Sequence, residues 1–181
     1  MIFNPTPLAG SYVIGLAPIS DNRGWFSRFY CKEEFLQIGH SKEWVQANHS
    51  VTHALGTIRG LHFQRPPYTE NKLVRCISGA VYDVIVDLRK NSATFLQWFG
   101  VELSAANKQM LYIPEGFAHG FQTLQNDTEL LYFHSEFYSP GAEEGLPYND
   151  DTLNIRWPLP VTELSQRDQE HSFINKNFQG I

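Results

Sequence analysis

At 181 residues, with 42% hydrophobic and 14% aromatic side chains, the chain is the size of one domain and has ample apolar surface for a packed core. A formal net charge of −5, from 14 basic and 19 acidic residues, lacks the basic stripe that binds a nucleic-acid backbone, but two or three placed arginines still suffice for one phosphorylated small molecule. No tract reaches the ~18 to 20 continuous apolar residues of a membrane span, and Met1 to Ser20 shows no basic start and apolar run of a signal peptide.

Two cysteines, Cys31 and Cys76, make no disulfide framework. They are expected as buried small hydrophobes in a reducing cytoplasm.

In chain order, the first helix is predicted at Lys32 to Gly39, acidic at its start and closed by glycine. Strands follow. Leu73 to Ile77 and Val81 to Leu88 are rich in β-branched and aromatic residues and flank the turn Ser78-Gly79-Ala80. Phe95 to Leu103, Met110 to Ile113, Phe121 to Leu124 and Glu129 to Phe137 continue the series. Asn107, Pro114-Glu115-Gly116 and Gln125-Asn126-Asp127 supply the breaks. The polar tail from Leu164 to Asn177 is read as a helix or a covering arm. With no internal repeat and no Gly-, Ser- or Pro-rich linker, residues 1–181 read as a single, mostly β domain, a jelly-roll sandwich or barrel.

Strand side chains alternate between faces. Tyr82, Val84, Val86 and Leu88 share one face and Val81, Asp83, Ile85 and Asp87 the other. In the later strand, Leu130, Tyr132, His134 and Glu136 oppose Leu131, Phe133 and Ser135. Such mixed polar faces either meet solvent or line a wet cavity inside a barrel.

Candidate chemistry centres on His62 and His119, held at separate points of this β-rich chain. Neither has metal-type ligands close in sequence: there is no His-x-His with a following carboxylate, and His49 and His53, four apart, do not lie in a helical stretch. No metal is therefore expected. The glycine-rich phosphate cradles of dinucleotide and P-loop sites are absent, as is a Gly-x-Ser-x-Gly nucleophile elbow. What remains is proton chemistry on an organic substrate, with His62 as the candidate base because imidazole titrates near neutrality. Arg59 lies three residues before it, and Lys72 opens the next strand. Regular alternation puts Arg59 and His62 on opposite faces; a bulge at Gly60 turns both inward.

Several motifs then fall in a specific order. Arg59-Gly60-Leu61-His62-Phe63-Gln64 is followed by Lys72-Leu73-Val74-Arg75 and by Asp83-Val84-Ile85-Val86-Asp87-Leu88-Arg89. Next come Pro114-Glu115-Gly116-Phe117-Ala118-His119-Gly120-Phe121 and Tyr132 in Leu130-Leu131-Tyr132. The tail contributes Asn154-Ile155-Arg156-Trp157-Pro158 and Leu164-Ser165-Gln166-Arg167-Asp168. Across residues 1–170 the set resembles the dTDP-4-dehydrorhamnose 3,5-epimerase family.

The resemblance implies a metal-free, cofactor-free cupin jelly roll with a few short helices, a homodimer with exchanged N-terminal strands, and a nucleotide-diphosphate sugar as substrate. It implies His62 as base, Asp168 as its orienting carboxylate, Tyr132 as the acid on the opposite face, and Lys72 as the enolate stabiliser. Arg23, Arg59, Gln46 and Asn48 would hold the nucleotide sugar, joined by His119 and Glu143, with Phe26 and Tyr138 as aromatic surfaces near the nucleotide base.

Two places depart from the pattern. Arg28 stands where the family usually has glutamate, a charge reversal beside the expected nucleotide site. Phe133-His134-Ser135-Glu136 stands where the family more often has Lys-Cys-Thr-Asp, and the extra imidazole of His134 bears on which carbon is epimerised. A single-centre epimerase, or one for another nucleotide sugar, stays open at this point. More distant readings are a metal-dependent cupin enzyme and a catalytically silent sugar-nucleotide-binding cupin.

Overall fold

Alternating apolar residues along the middle of the chain produce strands that bury both faces. In the computed structural model, which describes residues 1–181, the elements in chain order are β1 (Ile2–Pro5), β2 (Tyr12–Gly15), β3 (Ile19–Asp21), β4 (Gly24–Phe26), α1 (Lys32–Phe35), β5 (Gln46–Thr52), β6 (Ile58–Gln64), β7 (Lys72–Ser78), β8 (Ala80–Asp87), β9 (Trp98–Ser104), β10 (Gln109–Ile113), β11 (Phe117–Thr123), β12 (Thr128–His134), β13 (Glu143–Gly145) and α2 (Gln166–Gln169). A six-stranded sheet runs β1-β2-β10-β7-β12-β5, a five-stranded sheet runs β13-β6-β11-β8-β9, and β3-β4 form a separate hairpin. All pairings are antiparallel. The result is the mostly β jelly roll anticipated above, open at its edges rather than a closed barrel.

The parity of β8 shows how the layers form. Val81 and Ile85 point between the sheets, where they pack with Val74, Leu111, Phe121 and Leu130. Val84, Val86 and Leu88 point outward but meet Leu61, Phe63 and Ala118, and the tail residues Ile155, Trp157, Ile174, Phe178 and Ile181 cover them. The tail is thus chiefly a covering arm; its helix, α2, is only four residues long. On the outer face of the six-stranded sheet, Phe35 of α1 packs with Ile14, Leu73, Met110 and Tyr112. The strand's mixed face does not meet solvent either, because Asp83 and Asp87 are completely buried.

Several boundaries differ from the sequence expectation for identifiable reasons. The early helix is α-helical only over Lys32–Phe35 and tightens into a 3₁₀ turn at Leu36–Ile38, ending at Gly39 with φ 82°. β9 begins at Trp98 rather than Phe95, because the loop before it folds onto Asp87: Ser92 Oγ and Thr94 Oγ1 each donate to its carboxylate at 2.6 Å. β11 begins at Phe117 rather than Phe121, so His119 lies inside a strand. The polar stretch Gln46–Thr52, unrecognised as a strand, forms the sheet edge β5, with one side toward a cavity. No helix is long and apolar enough to cross a membrane.

Asp87 ties the loop after β8 to the sheet. Burial pushes its carboxyl up, but Arg89, Ser92 and Thr94 outweigh that and hold it at about 2. A depressed native value stabilises the fold above the unfolded carboxylate value and loses that contribution as pH falls. Asp87→Asn should therefore lower urea-unfolding stability by ~2 kcal/mol at pH 7. The gap from the parent should close between pH ~4 and about 2.

Candidate active site

Strand β6 carries one wall of the site, and its glycine decides what that wall presents. His119 of β11 pairs with His62, but Phe121 pairs with Arg59, so β6 spends three residues where β11 spends two. The extra residue lies at Gly60–Leu61 and cancels the alternation that would separate Arg59 from His62. Both now line one cavity of about 1280 Å³ between β5, β7 and β12 on one side and β6 and β11 on the other, roofed by residues 162–169. Gly60 has φ 110°, and a Cβ there would stand 2.7 Å from both the His119 carbonyl oxygen and Gly120 Cα.

His62 is held by a carboxylate more than a hundred residues away. Its Nε2 lies 2.7 Å from Asp168 Oδ1, while the Gly60 N–H donates to Asp168 Oδ2 at 3.2 Å. Ser165 caps α2 by accepting from the Asp168 N–H, which fixes the segment that delivers this carboxylate. Asp168 is only 3% exposed. Burial pushes its carboxyl up, but the His62 imidazole and the Gly60 amide outweigh that and hold it at about 2, so it is ionised. A fixed negative charge on one ring nitrogen sets the imidazole tautomer and leaves the other nitrogen able to accept a proton.

Tyr132 stands on the β12 wall of the same cavity. Its ring lies between His119 (centroids 6.3 Å apart, edge-on) and His134 (6.2 Å, stacked), and its hydroxyl is 3.2 Å from Ser50 Oγ. Burial pushes its phenol pKa well above the ordinary range, which keeps it protonated and able to donate. His119 is anchored from behind by Asp83, Nε2 to Oδ1 2.9 Å.

Lys72 is almost buried, its Nζ 3.2 Å from Glu70 Oε1. Burial pushes the Glu70 carboxyl up, but Lys72 first and then His134 outweigh it and leave it below the usual range. A fixed cation in a partly dry cavity is suited to stabilising a developing oxyanion. Arg59 donates to Thr52 Oγ1 and the Val51 carbonyl, which aims it along β5. Tyr138 donates to Glu143, which also receives Arg167 Nη1 at 2.6 Å.

The tertiary structure thus brings His62, Tyr132, Asp168, Lys72, Gln46, Asn48, Arg59, His119, Tyr138 and Glu143 to one cavity. It does not bring Arg23, Phe26 or Arg28 there. Arg23 and Phe26 ride on the exposed β3–β4 hairpin, with Arg23 paired to Asp21 and its side chain 85% exposed, while Arg28 pairs with Glu34. Within one chain these three are not cavity residues: the hairpin is hydrogen-bonded to neither main sheet, and its Trp25 lies against Arg75 of β7 rather than at the cavity lining.

Sequence reasoning passed over Ser50, Glu70 and Arg167. Glu70 precedes Lys72 by two residues, and Arg167 is adjacent to Asp168 within a quoted motif, so proximity to a named residue was the available signal. His134 is no second free base. Its Nδ1 lies 2.6 Å from Glu70, and its Nε2 lies 3.2 Å from Asn48 Nδ2.

The expectation that His62 has no metal-type ligands near it holds along the sequence but not in space. His62, Asp168 and His171 present ligand atoms within 4.8 Å of one another. The Arg167 guanidinium, 3.1 Å from His62 Nε2, places a positive charge at that cluster and opposes a cation there.

Comparison with known proteins bears on this arrangement. The family model for dTDP-4-dehydrorhamnose 3,5-epimerase matches residues 5–176. The dTDP-4-dehydrorhamnose 3,5-epimerase of Salmonella typhimurium is 45% identical over 170 residues, spanning 93% of this chain and 92% of that protein. The crystal structure of the Bacillus anthracis dTDP-4-dehydrorhamnose 3,5-epimerase with TDP and PPi bound aligns with a TM-score of 0.92 at 40% identity, covering 96% of this chain and 99% of that one. The Legionella pneumophila dTDP-6-deoxy-D-glucose-3,5-epimerase in complex with dTDP-4-keto-L-rhamnose aligns with a TM-score of 0.90 at 36% identity, covering 95% and 92%.

Gly60→Ala tests the β6 offset. Strained φ and contact with the β11 backbone should together cost at least ~2 kcal/mol in denaturant unfolding. A variant as stable as the parent would show that β6 does not need glycine there.

Proposed function

The chain belongs to the dTDP-4-dehydrorhamnose 3,5-epimerase family and is an isomerase, and from that premise we propose that it inverts carbons 3 and 5 of a dTDP-linked 4-keto-6-deoxy sugar. The observation that carries the reading is a carboxylate-oriented imidazole and a protonated phenol lining one cavity with a nearly buried lysine.

The C4 ketone acidifies the hydrogens on C3 and C5. His62 removes one of them through the ring nitrogen that Asp168 leaves free, and Asp168 stabilises the imidazolium. Charge moves onto the C4 oxygen as an enolate, where Lys72 supplies the compensating cation, worth ~3 to 4 kcal/mol for such a donor. Tyr132 then delivers a proton to the opposite face of the same carbon, inverting it. The tyrosinate and imidazolium exchange protons with water, and the sequence repeats at the second carbon. Arg59, Gln46, Asn48, His119 and Glu143 hold the nucleotide sugar, with Tyr138 beside the base. No resident metal or cofactor enters this reading.

The working unit is a homodimer of this single cupin domain. The β3–β4 hairpin of the second copy brings Arg23, Phe26 and the neighbouring Arg28 to the cavity. The large exposed apolar surface of Ile19, Trp25 and Phe26 on a hairpin joined to neither main sheet supports this. The unpaired thiols Cys31 and Cys76 support placement in the reducing cytoplasm.

Incubation with dTDP-4-keto-6-deoxyglucose in heavy water should place deuterium at C3 and C5; incorporation at neither position sinks the proposal, and at one alone reduces it to single-centre inversion. His62→Ala should lower exchange by at least ~10² to 10⁴-fold with dTDP binding retained. Tyr132→Phe should still wash in deuterium but return it to the original face, so exchange persists while inversion is lost. Light scattering should give twice the 20.8 kDa chain mass. Arg23→Ala should raise KM about tenfold, as expected for a lost charged hydrogen bond; an unchanged KM removes the hairpin from the site.

A further inference from the structure

A chain of hydrogen bonds along the cavity wall has one direction throughout. The Tyr138 N–H donates to Gln46 Oε1 at 3.1 Å, and Gln46 Nε2 donates to Asn48 Oδ1 at 3.2 Å. Asn48 Nδ2 lies 3.2 Å from His134 Nε2, and His134 Nδ1 lies 2.6 Å from Glu70 Oε2. Glu70 ends the chain as a nearly buried carboxylate, with Lys72 on its other oxygen at 3.2 Å. A carboxylate can only accept, so His134 donates to it from Nδ1, and in the neutral ring that leaves Nε2 as the acceptor. That requires the Asn48 amide to point its nitrogen at the ring, which in turn turns its oxygen to Gln46.

Both amide oxygens are thereby consumed inside the wall. Each amide keeps one N–H that no protein atom takes, and both side chains line the cavity. Links aligned head to tail polarise one another, so a charge at one end orients groups several bonds away. The other orientation of either amide would present an oxygen to an oxygen-rich ligand and lose a bond within the wall.

We propose that Glu70 and His134 form a positioning pair that fixes Asn48 and Gln46 as hydrogen-bond donors toward the nucleotide sugar. The proposal rests on the epimerase reading for the identity of the ligand, but its geometry stands apart from turnover. His134 acts through Asn48 and touches no reacting atom.

Nitrogen-15 imidazole shifts of the full-length protein should report His134 protonated at Nδ1 with Nε2 as acceptor; the opposite tautomer overturns the proposal. His134→Leu, which holds neither neighbour, should raise KM for dTDP-4-keto-6-deoxyglucose and weaken dTDP binding in calorimetry, each by about tenfold. His134→Gln can donate to Glu70 from its amide nitrogen and accept from Asn48 at its oxygen. It should restore both quantities to within about threefold of the parent. Parental KM and dTDP affinity in His134→Leu, or equal impairment in both variants, removes the pair from substrate positioning. If His134→Leu does not fold, the tautomer and the His134→Gln affinity decide the matter. Failure of the parent protein to exchange deuterium counts against the epimerase reading, and the tautomer and dTDP titrations still decide on the pair.

Discussion

Two glycines facing each other across β6 and β11 set the geometry on which the site is built. Gly60 and Gly120 let the two backbones approach where a Cβ on either would meet the opposite strand at 2.7 Å. The resulting offset turns Arg59 and His62 into one cavity and frees the Gly60 N–H to bond Asp168. Without the offset, a rigid two-residue alternation would leave either the imidazole or the guanidinium outside. The same residue therefore shapes the wall and helps hold the carboxylate that orients the base.

Buried carboxylates organise the remainder. Asp168 holds His62, Asp83 holds His119, and Glu70 holds both Lys72 and His134. Each is shielded from water and paired with groups that are, or can become, cationic, so that side chains with several rotamers are fixed in place. The arrangement suits a reaction in which charge shifts between an imidazole, a phenol and a ketone oxygen, because the environment need not reorganise as it moves. The family to which the chain belongs fits this economy of parts: a jelly roll supplies rigid strands, and polar residues on the inward faces supply the chemistry.

Much of the fold was legible from local pattern. The strands around Gly79, the short helix ended by Gly39 and the bulge at Gly60 followed from side-chain alternation and from glycine's tolerance of positive φ. Strand β5 escaped notice because an edge strand beside a cavity carries Asn, His and Ser in place of the apolar alternation that marks a core strand. The start of β9 was misread because Asp87 captures the preceding loop, a long-range demand that Phe95 and Leu96 do not announce.

The sequence alone determined the inventory: an imidazole three residues after an arginine, a lysine opening the next strand, a tyrosine sharing its strand face with a histidine, and motif order characteristic of one family. Those features are local, written in side-chain type and spacing. Tertiary structure alone decided which of them meet. It carried Asp168 across more than a hundred residues to His62, drew Glu70 between Lys72 and His134, and left Arg23, Phe26 and Arg28 outside the cavity of their own chain. Contacts of that kind depend on sheet register and the path of the covering arm, which no short stretch of residues encodes.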